Sequence, residues 1–243
     1  MTAKSIITLL VLASSVASAE MPFSAEWNWE QNRLNGAVRE IVVVNKNGRT
    51  VESFNKQGQK FLKETFDKDG NRDYRTIIKY NPVGHINEVW FSNKHSDEPM
   101  YVETASFDSN GNVESIKVNR GGKLSETETV TYDENGLSSI SAVAGRKTIT
   151  WTFKFSNKGT LTESAVRYDA DVKYEAKYKY DDRGNATQVL GSRKGVPLAT
   201  ATIEYVYDTK SNWVKKTSTL VAYSDGEARE PRTHIEERTI AYY

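Results

Sequence analysis

A short mark recurs along this chain: an aromatic residue, then Asn, Asp or Ser, two variable positions, and usually Gly. It stands as Phe54–Gly58, Phe66–Gly70, Tyr80–Gly84, Phe107–Gly111, Tyr132–Gly136, Phe155–Gly159 and Tyr180–Gly184, and as Tyr207–Ser211 with Ser in the Gly place. From Tyr80 onward the aromatic positions fall 27, 25, 23, 25 and 27 residues apart, and a period of this size belongs to a repeat architecture. The residue types explain the mark. An Asx side chain bonds the backbone ahead of it, the next two residues turn, and Gly accepts the positive φ that completes a short hairpin loop. Each mark predicts a hairpin tip.

Between marks lie two stretches of strand length joined by a less regular turn, at Asn93 to Pro99, Arg120 to Gly122, Ala144 to Arg146, Tyr168 to Asp171, Arg193 to Gly195 and Ser224 to Pro231. One repeat is therefore two antiparallel strands. The strands alternate with period two. Ile149, Trp151, Phe153 and Phe155 share one face against Thr148, Thr150, Thr152 and Lys154; Tyr174, Ala176, Tyr178 and Tyr180 oppose Glu175, Lys177 and Lys179. Pro22, Pro82, Pro99, Pro197 and Pro231 all fall in or beside turns or near the amino terminus, where no ladder donor is lost. No amphipathic helix competes. The expected fold is all-β: an antiparallel up-and-down meander of about 16 strands, strongly twisted and coiled into an open or flattened barrel with its aromatic face inside.

Residues 1–19 carry the pattern of a secretory signal peptide, with Lys4 before an apolar stretch from Ile6 to Leu12 and a small-residue cleavage site at Ala17-Ser18-Ala19. The expected organisation is signal peptide 1–19, cleaved after Ala19, an amino-terminal segment 20–36, and one β-repeat domain 37–243. The expected location is periplasmic or secreted, in a bacterium. With 33 Lys plus Arg against 32 Asp plus Glu, no basic field calls for nucleic acid. With no Cys there is no disulfide frame, thiolate metal site or thiol nucleophile, and no segment reads as a transmembrane helix, which needs about 20 apolar residues.

The aromatic-Asp-x-x-Gly-Asn unit resembles the tyrosine-aspartate (YD) repeats of the RHS family. Asp69-Gly70-Asn71, Asn110-Gly111-Asn112 and Arg183-Gly184-Asn185 keep the Gly-Asn step, and Tyr207 to Trp213 is similar to a terminal variant ending in Asn-Trp. Leu34 to Ile41 and Arg238 to Tyr243 look like the ends of small exported members. The resemblance covers residues 33 to 243. It implies a continuous, strongly twisted antiparallel sheet and an expectation of sugar or cell-surface binding. It implies no catalytic residues, and this chain lacks the toxin domain of the large members.

Asp67, Asp69, Asn71 and Asp73 around Gly70 form a calcium candidate, since oxygen ligands alternate there. The spacing opposes it: Gly70 precedes the third ligand and Thr76 stands where an EF-type loop places Glu. No metal or cofactor is expected. His85, His95 and His234 have no ligand-spaced partner, and neither a Gly-x-Ser-x-Gly elbow nor a phosphate or dinucleotide loop occurs. Trp27, Trp29, Trp90, Trp151 and Trp213 are the candidate binding residues, because their faces stack on sugars while their polar edges stay wet. A packing ladder accounts for most aromatics equally well; Trp27 and Trp29 precede the repeats and could instead cover the first edge strand.

The functional expectation is an exported, non-catalytic binding or structural module. It would engage a glycan, envelope component or protein along a sheet face or an edge strand, with oligomers forming through the same edges. The alternative is an outer-membrane, porin-like β-barrel, for which an even strand count, period-two alternation and the terminal aromatic Tyr243 speak. A glycan-active enzyme would need two carboxylates facing a cleft.

Overall fold

The computed structural model describes residues 34–243 apart from 135, 145–146, 156–160, 169–171 and 225. Seventeen strands follow one another: β1 (Val38–Asn45), β2 (Gly48–Phe54), β3 (Lys60–Asp67), β4 (Arg72–Tyr80), β5 (Ile86–Asn93), β6 (Tyr101–Phe107), β7 (Val113–Arg120), β8 (Lys123–Asp133), β9 (Gly136–Ala144), β10 (Lys147–Phe155), β11 (Leu161–Tyr168), β12 (Val172–Tyr180), β13 (Ala186–Arg193), β14 (Val196–Tyr207), β15 (Trp213–Ser224), β16 (Glu227–Ala228) and β17 (Arg232–Tyr242). All belong to one antiparallel sheet in which consecutive strands are neighbours. The two-residue β16 pairs with the end of β15, and β17 then takes up the pairing with β15.

The sheet closes on itself. β1 pairs with β2 on one side and with β17 on the other, Ile41 facing Ile240 and Val44 facing Glu237. The expected all-β meander is thus a closed barrel of sixteen long strands, and β1 and β17 are each other's partners. Closure corrects the edge-strand expectation: neither strand is left as a free edge for another chain.

Six of the marks show one geometry. Oδ1 of Asn55, Asp67, Asn81, Asp108, Asp181 and Asp208 accepts from the backbone N–H two residues on and from that four residues on, at 2.8–3.1 Å. The Asx carbonyl accepts from the residue in the Gly place, and the Asx N–H donates to the carbonyl four residues on. Gly58, Gly70, Gly84, Gly111 and Gly184 lie at φ between 78° and 92°, a region other residues enter at a cost; Ser211 takes the place at φ 65°. Of the remaining marks, Asn135 and the turn holding Gly159 lie outside the described residues, while Tyr132 and Asp133 are the last two residues of β8 and Gly136 opens β9.

The aromatic at the mark ends a strand at a β-bulge, facing the residue six on: Phe54 with Lys60, Tyr80 with Ile86, Phe107 with Val113, Phe155 with Leu161, Tyr180 with Ala186. These bulges keep both members of each pair on the buried face and restart the alternation. Phe66 differs. Its mark joins β3 to β4, whereas the other seven follow even-numbered strands, so in an up-and-down meander it sits at the opposite end. Its side chain faces Arg49, whose guanidinium lies 4.6 Å from the ring. Without it, the spacing from Phe54 to Tyr80 joins the regular series.

The chain divides into two compact units. The first holds Thr129–Glu204 and Thr217–His234, with Ile140, Ala142, Phe153, Leu161, Tyr178, Val189, Ala199, Ala201 and Ile203 buried. The second runs through Glu128 and adds Tyr205–Lys216 and Ile235–Tyr243; in it Val38, Ile41 and Phe54 pack with Leu34, Val43, Ile240 and Tyr242.

Replacing Asn81 by Ala removes one acceptor serving two backbone donors, which costs about 1–2 kcal/mol. The thermal midpoint is expected to fall by about 2–6 °C by circular dichroism, while Asn81→Asp, which keeps the acceptor, stays near wild type.

Candidate functional site

The candidate tryptophans do not converge. Trp90 stands on the outer face of β5 in the row Leu62, Ile77, Trp90, Val102. Its indole N–H donates to Glu88, and Lys79 Nζ lies 3.4 Å from the ring centroid while bonding Glu88 at 2.6 Å. That ring is covered by its own neighbours. Trp213 lies beneath Arg238, whose guanidinium is 3.7 Å from the ring centroid, with Tyr205 at 6.1 Å. Trp151 in the first unit sits in β10 opposite Ile140 and Val166, and Trp27 and Trp29 lie outside the described residues.

At the calcium candidate, Asp67 Oδ1 accepts from the N–H of Asp69 and of Asn71, and Asn71 Nδ2 donates to Asp67 Oδ2 at 3.2 Å. The bond from the Asn71 backbone is the largest of the contacts that hold the Asp67 carboxyl below its usual value. Asn71 turns a donor toward Asp67, and Asp73 belongs to β4. The carboxylate serves the turn.

Ionised groups on the buried face of the second unit were hidden in the sequence. Glu52 accepts from Lys60 at 3.2 Å and lies 3.9 Å from Lys63. Burial would raise its pKa, but the two lysines outweigh it and the carboxyl is held below its usual value. Lys216, buried in β15, pairs with Glu236, and Arg238 donates to the Trp213 carbonyl. Glu126 and Glu128 alternate with exposed Ser125, Thr127 and Thr129 along β8 and share the covered face with Val130. Burial, with Glu126 adding to it, pushes Glu128 up to about 7, and its Oε2 has no hydrogen-bond partner. A bulge after the Phe54 mark hides two of these positions from period two: Lys60 and Lys63 fall on the buried face only once the alternation restarts.

The outer face carries ion pairs that run across neighbouring strands. Glu163 sits between Lys154 at 2.8 Å and Lys177 at 3.7 Å, across β10, β11 and β12. Lys215 meets Glu237 at 3.0 Å. Glu64 lies between Arg72 and Arg75, which also hold Asp97.

The sequence matches no protein-family model and no curated protein. Among solved structures, a porin-like protein from Bacteroides uniformis ATCC 8492 is similar over 86% of this chain and 98% of its own, with TM-score 0.57 and 12% identity. This chain has that fold. A second porin-like protein, from Bacteroides vulgatus ATCC 8482, covers 85% of this chain and 98% of its own at TM-score 0.48 and 11% identity. A Photorhabdus luminescens Tc holotoxin pore covers 76% of this chain and 13% of its own at TM-score 0.33 and 13% identity.

A carboxyl whose folded pKa is raised favours the fold most when neutral, so that advantage is lost as pH climbs from the unfolded value toward about 7. Glu128→Gln is expected to raise the thermal midpoint by about 5 °C at pH 8 and by little at pH 5, read from melts at the two pH values.

Proposed function

We propose that this protein is an exported, non-catalytic β-barrel of the bacterial cell envelope, with its wall in water, engaging a glycan, envelope component or protein. The observation that carries the reading is the outer ion-pair ladder at Lys154, Glu163 and Lys177. In a lipid-facing barrel Lys and Arg on the wall are costly, up to about 2–4 kcal/mol at the bilayer midplane, and here Lys154, Glu163 and Lys177 follow one another on the outer face of β10, β11 and β12. Closure moves the expected contact away from an edge strand and onto the wall or the turns.

A second reading stands beside it. The likeness to a porin-like protein favours the barrel form of the outer-membrane alternative over an open binding sheet, and the ionised groups on the buried face of the second unit suit a polar interior. On that reading the wall would meet lipid.

The two readings separate on fractionation of the native host. Washing the membrane pellet with carbonate and urea is expected to release the mature protein, and its gel migration is expected to be the same with and without boiling. Retention in the washed pellet with heat-modifiable migration would establish the membrane barrel instead.

A further inference from the structure

Leaving aside the two-residue β16, which only extends the hairpin between β15 and β17, seven connections follow even-numbered strands along the chain, and each carries a mark. An eighth place at that end of the meander lies between β17 and β1, where the chain is not continuous. In a complete mark the aromatic pairs with the residue six on across a bulge, the Asx N–H donates to the carbonyl just before that partner, and a Gly with positive φ lies two residues before it. The two ends of the chain reproduce each part. Tyr242 pairs with Val38, with a bulge between Val38 and Glu40. The Tyr243 N–H donates to the Ala37 carbonyl at 2.9 Å. Gly36, two residues before Val38, lies at φ 85°, and a Cβ there would come within 3.3 Å of Lys210 and of the Tyr242 ring.

Tyr243 stands in the Asx place and lacks the acceptor that organises the other turns, so something else must hold the two pieces. Asn212, 1% exposed, does so. Its Oδ1 accepts from the Asn35 N–H at 2.8 Å, and its Nδ2 donates to the Asn35 carbonyl at 2.8 Å and to the Tyr242 hydroxyl at 2.7 Å. The Tyr242 hydroxyl donates in turn to Asp208 Oδ2 at 2.7 Å. Asp208 heads the preceding mark, and Asn212 closes it. Lys210 Nζ caps the Tyr242 ring at 3.5 Å, and the Tyr243 hydroxyl donates to the Phe54 carbonyl of the following mark at 2.6 Å. Asn212 therefore bonds both chain ends and satisfies every polar hydrogen it carries.

We infer that the two chain ends form the eighth turn as a two-piece copy of the mark, and that Asn212 and Tyr242 lock the β1–β17 seam. The seam is then the one place where the barrel opens without unfolding the rest. Opening exposes β1 and β17 as paired edges, the chemistry that recruits a second copy of the chain, so the lock also keeps the protein single.

Amide hydrogen exchange on the full mature chain tests this, because it reads local opening strand by strand. Tyr242→Phe keeps the ring and removes the hydroxyl that joins Asp208 to Asn212. It is expected to speed exchange of the Ile41, Val43 and Ile240 amides about tenfold, with Val189 and Leu190 in β13 unchanged. Asn212→Ala goes further at the same amides and yields dimer on sizing. Asn112→Ala removes a side-chain bond at the same place in another mark and is expected to leave the seam amides alone. Acceleration spread equally over all strands, or no acceleration in Tyr242→Phe, would overturn the inference.

Discussion

The bond on which the rest of the barrel depends runs from an Asx side-chain oxygen to the backbone N–H groups two and four residues on. It satisfies donors that a tight turn would leave unpaired, and it fixes the step at which each strand reverses. Because the same bond recurs at Asn55, Asn81, Asp108, Asp181 and Asp208, each hairpin leaves its turn in the same way. Successive turns also touch. Gln59 Nε2 donates to the Gly84 carbonyl, and the His85 ring lies against Gly111 and 5.4 Å from Phe107. The residues following Gly58 and Gly84 thus tie one turn to the next, and Asn212, following Ser211, performs that service at the seam.

A second constraint is where charge goes. The outer face pairs Lys with Glu across neighbouring strands, which contributes little per pair at an exposed site but keeps the wall wetted. The buried face of the second unit holds Glu52 with Lys60 and Lys63, and Lys216 with Glu236. A covered pair is costly to break and of small net benefit to form, so these groups specify how the strands register more than they stabilise. Glu128 has a covered oxygen lacking a hydrogen-bond partner, and burial raises its pKa to about 7.

Much of the fold is legible in the residues. The marks locate the turns, the period-two faces of β10 and β12 give the buried side, and the prolines avoid the ladder. What period two cannot show is the bulge at Phe54, which shifts the phase and brings Lys60 and Lys63 inside. Phe66 looks like any other mark, yet it sits at the other end of the meander; its spacing from Phe54, out of step with the later repeats, was the available signal. Trp90, Trp151 and Trp213 were candidates by residue type alone, and nothing in sequence distance tells that Lys79 and Arg238 cover two of them. The seam was the hardest to read, since its turn is made from residues at opposite ends of the chain.

Closure of the sheet between β1 and β17 is the claim that everything else presupposes, and the absence of cysteine in the chain makes it directly accessible. Val44 and Glu237 face one another across the seam, at the cross-strand separation a disulfide can span. A chain carrying Val44→Cys and Glu237→Cys is predicted to oxidise within a single molecule, migrating faster on a non-reducing gel with no dimer band. Thiols that stay free, or that cross-link only between molecules, would contradict the closed barrel.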